Sequence, residues 1–134
     1  MFLHLLKEEN KSLFIELCEH AAQADEVLEN KEKETISMYC REMGISEVEL
    51  GEKRGLVTVL DELSQNTEPS EKKIILFEIL GLMLSDDEYV EQEEQFVYDI
   101  IEKFGIEKQI VLQMRSLLEI YKAVYRELYL NVCL

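Results

Sequence analysis

The chain has no tryptophan, one proline, five glycines and three cysteines among its 134 residues. Each scarcity limits what it can be. So little proline and glycine leaves scant material for turns, which argues for few turns and long helices. Cys18, Cys40 and Cys133 form an odd set with no paired spacing, so a disulfide framework is not expected. Free buried thiols in a reducing compartment are. Basic residues are also scarce: 14 Lys and Arg face 29 Asp and Glu, for a net charge of −15. The excess is spread evenly along the chain and is not an acidic tail. Such a surface repels phosphate backbones and an anionic leaflet, which excludes nucleic acid and leaves basic proteins or cations as the natural partners. The longest apolar run, Ile74 to Leu84, is broken by Glu78 and falls short of the ~20 residues that span a bilayer, so membrane insertion is excluded. The start, Met1 to Lys7, lacks the basic region and the apolar length of a secretory signal, and the cytoplasm is the expected location.

The apolar fraction of 47% suits a globular core, and a domain of this size buries roughly two-thirds of the surface of its unfolded chain without staples. A shift of 61 positions brings the chain onto itself. Lys11 then falls on Lys72, Asp25 on Asp86, Glu32 on Glu93, Gly44 on Gly105, Ile45 on Ile106, Arg54 on Arg115 and Leu56 on Leu117. Apolar positions follow the same register, with Ile36 on Val97, Cys40 on Ile101 and Met43 on Phe104. One supersecondary unit used twice is the simplest explanation.

Each unit reads as three helices. Leu13, Phe14, Leu17, Cys18, Ala21 and Ala22 recur at helical spacing in the first, whose counterpart spans about Glu71 to Ser85. The second carries Ile36, Tyr39, Cys40 and Met43, or Phe96, Val97, Ile100, Ile101 and Phe104. It stops at Gly44 or Gly105, where glycine takes the left-handed cap without steric cost. The third starts at once: Ser46 with Glu49 forms a capping box, and Ile45 with Leu50 or Ile106 with Val111 forms a hydrophobic staple. The helix around Ile74–Leu84 is apolar nearly all round, so it is central in the core or covered by a partner. Pro69 fits the first turn of the helix that follows the joint Glu68-Pro69-Ser70. The expected architecture is an all-α single domain over 1–134, a compact bundle of about seven helices. It comprises an extra N-terminal helix over 1–9 and two pseudo-symmetric three-helix repeats, about 11–64 and 72–125.

Acids gather where the first helix of each unit gives way to the second. Asp25, Glu26, Glu29 and Glu32 lie in the first copy. The second holds Asp86, Asp87, Glu88, Glu91, Glu93 and Glu94. The stretches "AAQADEVLENKE" and "GLMLSDDEYVEQEE", followed by "MGI" and "FGI", resemble the tellurite-resistance TerB-like family: a helix of small and apolar residues, an aspartate turn, an apolar residue and acids, then a helix ending in glycine. The family's glycine after the aspartate is replaced here by Glu26 and by Asp87 or Glu88. Either Asp86 with Glu93 or Asp87 with Glu94 keeps the spacing. The resemblance implies a role in tellurite resistance and stress responses, with divalent-cation binding at the acidic corners.

Read from the residues alone, the corners have two explanations. Acids in the first turn of a helix are favoured by its dipole and by exposed backbone N–H groups, and need no metal. Alternatively Asp25, Glu29, Glu32, Asp86, Asp87, Glu91, Glu93 and Glu94 supply oxygen ligands to calcium, magnesium or manganese. The segment is no EF-hand, since the central glycine is missing and Val90 takes a ligand position. Cys18-Glu19-His20 lacks the further ligands a zinc site requires, and His4 belongs at the solvent edge of the N-terminal segment. No nucleophile motif, Walker loop or dinucleotide fingerprint occurs. A non-enzymatic protein-interaction scaffold is therefore the leading expectation. A dedicated cation- or metalloid-binding protein is the alternative, and a carboxylate-based enzyme the third reading. Tyr121, Tyr125 and Tyr129, with Arg126 alongside, recur on the last helix. They are either half-buried at the core edge or a partner face, and the second case makes a homodimer a candidate.

Overall fold

The computed structural model describes residues 1–23, 30–46, 54–84 and 91–134, and the side chains of 30–32 lie outside the description. The described residues hold no strand. They form a 3-10 turn, Leu3–Leu5, and six α-helices: α1 Glu8–Gln23, α2 Asn30–Met43, α3 Leu56–Asn66, α4 Pro69–Met83, α5 Glu91–Phe104 and α6 Lys108–Val132. About seven helices were expected. The N-terminal one is a single 3-10 turn, too short to close an α-helical hydrogen bond.

The helix bounds repeat along the chain. Shifting α2 by the interval that joins Lys11 to Lys72 gives 91–104, the bounds of α5, and shifting α1 gives 69–84 against Pro69–Met83. Both second helices end alike. Gly44 has φ +70° and Gly105 φ +69°. The next N–H groups then reach back, from Ile45 to the Cys40 carbonyl and from Ile106 to that of Ile101, each at 3.0 Å. These bonds satisfy carbonyls that a helix end would otherwise leave open. After Gly105 the chain enters α6 with Glu107 as N-cap, so Ile106 and Val111 hold the staple positions around it. The corresponding corner of the first copy, with Glu49 and Leu50, lies outside the described residues.

α1 packs against α2, α3 and α4, and α4 packs against α2, α5, α6 and the N-terminal turn. α1 and α4 thus meet at the centre. The largely apolar α4 is a core helix: Ile75, Leu76, Ile79, Leu80, Leu82 and Met83 are buried, with Phe77 half-buried against the Phe2 ring. Its N-terminus is closed by a capping box between Glu68 and Glu71, with Pro69 at the first helical position. The apolar positions expected for α1, α2 and α5 are buried.

Among the described residues four acids are buried with this core, and three of them tie distant segments together. Glu71 accepts hydrogen bonds from the Asn10 amide at 3.0 Å and from the Lys7 backbone N–H at 3.3 Å, while Asn10 also donates to the carbonyl of Asn66, the last residue of α3. Burial pushes the Glu71 carboxyl up. Asn10, the backbone N–H groups of Glu68 and Lys7 and the Lys7 ammonium outweigh it and hold the carboxyl below its ordinary range. Glu78 accepts from the Met1 amino group at 2.9 Å and the Phe2 N–H at 3.0 Å, fixing the N-terminal turn. Glu16 accepts from the Arg54 backbone N–H at 3.3 Å. The fourth is Glu93.

Candidate functional site

The acidic corners lie only partly within the described residues: Asp25, Glu29, Asp86 and Asp87 fall outside, as does the side chain of Glu32. Glu91, Glu93 and Glu94 stand in the first turn of α5, where the helix N-terminus favours negative charge. Their surroundings differ sharply. Glu91 is exposed, whereas Glu93 is turned inward and only 1% exposed. Glu94 accepts a hydrogen bond from the Tyr98 hydroxyl at 3.1 Å, and that bond raises the Tyr98 phenol above its usual range. The ammonium of Lys108 sits 5.0 Å from the Tyr98 ring centre. Tyr98 was not singled out in the sequence, although its spacing of four from Glu94 is the signal for such a pair. Among the described residues, no group of three or more His, Cys, Asp and Glu is gathered to hold a metal ion.

The cysteine and histidine readings resolve individually. Cys18 and Cys40 are free and buried, but Cys133 is free and exposed at the end of α6, against the expectation that all three are buried. Burial, then the charge of Glu78, pushes the Cys18 thiol well up, so it stays protonated as a core group. His20 lies 2.7 Å from the Arg54 carbonyl oxygen, and His4 is exposed.

The last helix is the larger surprise. Arg126 is exposed, and Tyr121, Tyr125 and Tyr129 are 47%, 58% and 49% exposed, with Tyr121 at the edge of the core. The reason is reach. α6 has 25 residues but buries only Val111 and Leu118. The fourteen residues from Glu119 to Val132 extend about 21 Å at 1.5 Å per residue, and no described element covers them. The Tyr121 and Tyr125 rings lie 6.2 Å apart along this length. Where α6 leaves the core, the Lys122 ammonium binds the Leu84 carbonyl at 2.8 Å and so closes the C-terminus of α4. Beside it is a recess of about 260 Å³ lined by Met1, Tyr39, Phe77, Glu78, Gly81 and Tyr121, among others. Its polar groups are engaged with one another: Glu78 holds the N-terminus, and the Tyr39 hydroxyl donates to the Glu78 carbonyl at 2.9 Å.

The fold as a whole has a counterpart among solved structures. A tellurite resistance protein from Nostoc punctiforme matches with a TM-score of 0.67 over 96% of this chain and 82% of that one, at 23% identity. The fold is TerB-like. A TerB-like bundle is what the acidic corners and glycine stops suggested, and at this identity the likeness concerns the fold. No family model matches the chain, and no curated protein does. Among the described residues, no helix of this TerB-like bundle is long and apolar enough to cross a membrane.

Proposed function

We propose that the chain is a non-catalytic TerB-like module that works by protein contact in a cytoplasmic, tellurite-resistance-type stress response. One observation carries the contact reading: the distal half of α6 presents large apolar side chains, Leu117 to Val132, that are between 46% and 74% exposed. A monomeric domain rarely leaves so continuous an apolar surface without a use for it. The tellurite-resistance direction comes from the similarity to the Nostoc protein. In the native host, a strain whose own copy carries Val124→Lys with Leu128→Lys should be as tellurite-sensitive as a strain lacking the protein. Full protection by that variant would remove the contact reading.

Divalent-cation modulation is the second reading; it comes from the resemblance of the acidic corners, of which Glu91 and Glu94 stand in the first turn of α5. Under this reading, millimolar calcium, magnesium or manganese raises the melting temperature, and Glu91→Gln with Glu94→Gln reduces the rise. An unchanged melting temperature with all three ions removes it.

A further inference from the structure

The exposed surface of α6 has an internal order. Projected down the helix, Ile120, Val124, Leu117, Leu128, Tyr121 and Tyr125 fall side by side in a band about 140° wide at 100° per residue, and Val132 continues it. No charged residue falls inside that band. Val111 and Leu118, the residues that α6 buries, point about 100° away from its middle. Most of the band, from Ile120 to Leu128, therefore turns aside from the bundle, while Tyr121 and Tyr125 border the buried face and Tyr121 also lines the recess beside α4.

We infer that this band is where a second copy of the chain docks, α6 against α6. The inference rests on the reading of α6 as a contact surface and names its partner. Charge decides among occupants. From Leu117 to Val132 the helix carries Glu119, Lys122, Arg126 and Glu127, a net charge of zero, so the −15 of the chain resides entirely elsewhere. Two distal halves meet without a like-charge penalty, whereas most of the remaining surface is acidic. A bilayer is a poorer occupant. Interfacial helices carry a basic polar face, whereas the polar side here is balanced, and the acidic body is repelled by anionic headgroups. The area also suffices: seven large side chains, each about half exposed, offer on the order of 700 Å², close to the ~800 Å² that each partner brings to a standard interface. Tyr121 and Tyr125, along one edge of the band, add the large aromatic area that such contacts favour.

Sedimentation equilibrium on the 134-residue chain at micromolar concentration tests this. The expected mass is twice that of the chain, falling to the single-chain mass in Val124→Lys with Leu128→Lys. Both positions are exposed, so the variant keeps its fold, and an unchanged far-UV spectrum verifies that. A wild-type monomer overturns the inference, and so does a dimer that survives both lysines. Wild-type monomer that pellets with phosphatidylserine-containing vesicles assigns the band to a lipid surface instead. The tellurite assay keeps the two failures apart. Monomeric protein whose lysine variant loses protection means a different protein docks on the band, and monomeric protein whose variant keeps protection removes the contact reading as well.

Discussion

α3 and α6 occupy the same place in the two copies of the repeat, yet they meet opposite fates. α3 has 11 residues and buries Val59, Leu60 and Leu63 between α1 and α5. α6 has 25 residues and buries two. Both are amphipathic. What separates them is the company each keeps, since α3 is clasped by a central helix and by α5, while α6 rests mainly on α4 and then runs past its end. Apolar content supplies the means for burial. Topology decides whether it is used.

The largest effect should come from breaking the clasped helix. Leu63 is fully buried, so Leu63→Ala removes its packing and leaves a cavity, with an expected loss of about 2–5 kcal/mol in urea unfolding. A loss below about 1 kcal/mol would place α3 with ordinary surface elements and undo the comparison.

A smaller effect is expected at the polar seam that closes α3. Asn10 joins the end of α3 to Glu71, and the carboxyl of Glu71 is held below its ordinary value of 4.5. A depressed carboxyl contributes stability that is fully present above its unfolded value and is lost as the pH falls through its lower folded value. The melting temperature should therefore drop on acidification below about pH 4.5, where the unfolded chain begins to take up the proton first. Glu71→Gln should lower the melting temperature at neutral pH and flatten that acid limb. An acid limb identical to wild type would show that the seam does not depend on the charge of Glu71.

Much of this fold was legible in the sequence because its causes are local. The stops at Gly44 and Gly105, the staple of Ile106 with Val111 and the first-turn Pro69 each involve residues within a few positions of one another. The buried acids were not legible. Glu71 and Glu78 look like surface residues until Asn10 or Met1 is brought to them from more than sixty positions away. The exposure of α6 was hidden for the same reason, because a stripe of Tyr121, Tyr125 and Leu128 has the same spacing whether or not anything covers it. Of the acidic corners, Glu91, Glu93 and Glu94 could be placed at the start of α5, but neither spacing nor composition distinguishes the enclosed Glu93 from its exposed neighbour Glu91.

The smallest effect is expected on the free helix, and there the comparison is sharpest. Leu128 is the same residue type as Leu63, on the corresponding helix, but it is 56% exposed. Leu128→Ala opens no cavity in the bundle, so at low protein concentration its unfolding free energy should stay within about 0.5 kcal/mol of wild type. Raising the concentration changes the reference state, because a second copy that binds only folded chain stabilises it by mass action. Wild type should then gain in melting temperature with concentration, whereas Leu128→Ala gains less, and the gap between them widens as the protein is concentrated. Two parallel curves would mean that Leu128 contributes to the bundle or to nothing, and a large deficit already present at high dilution would show that α6 is clasped after all.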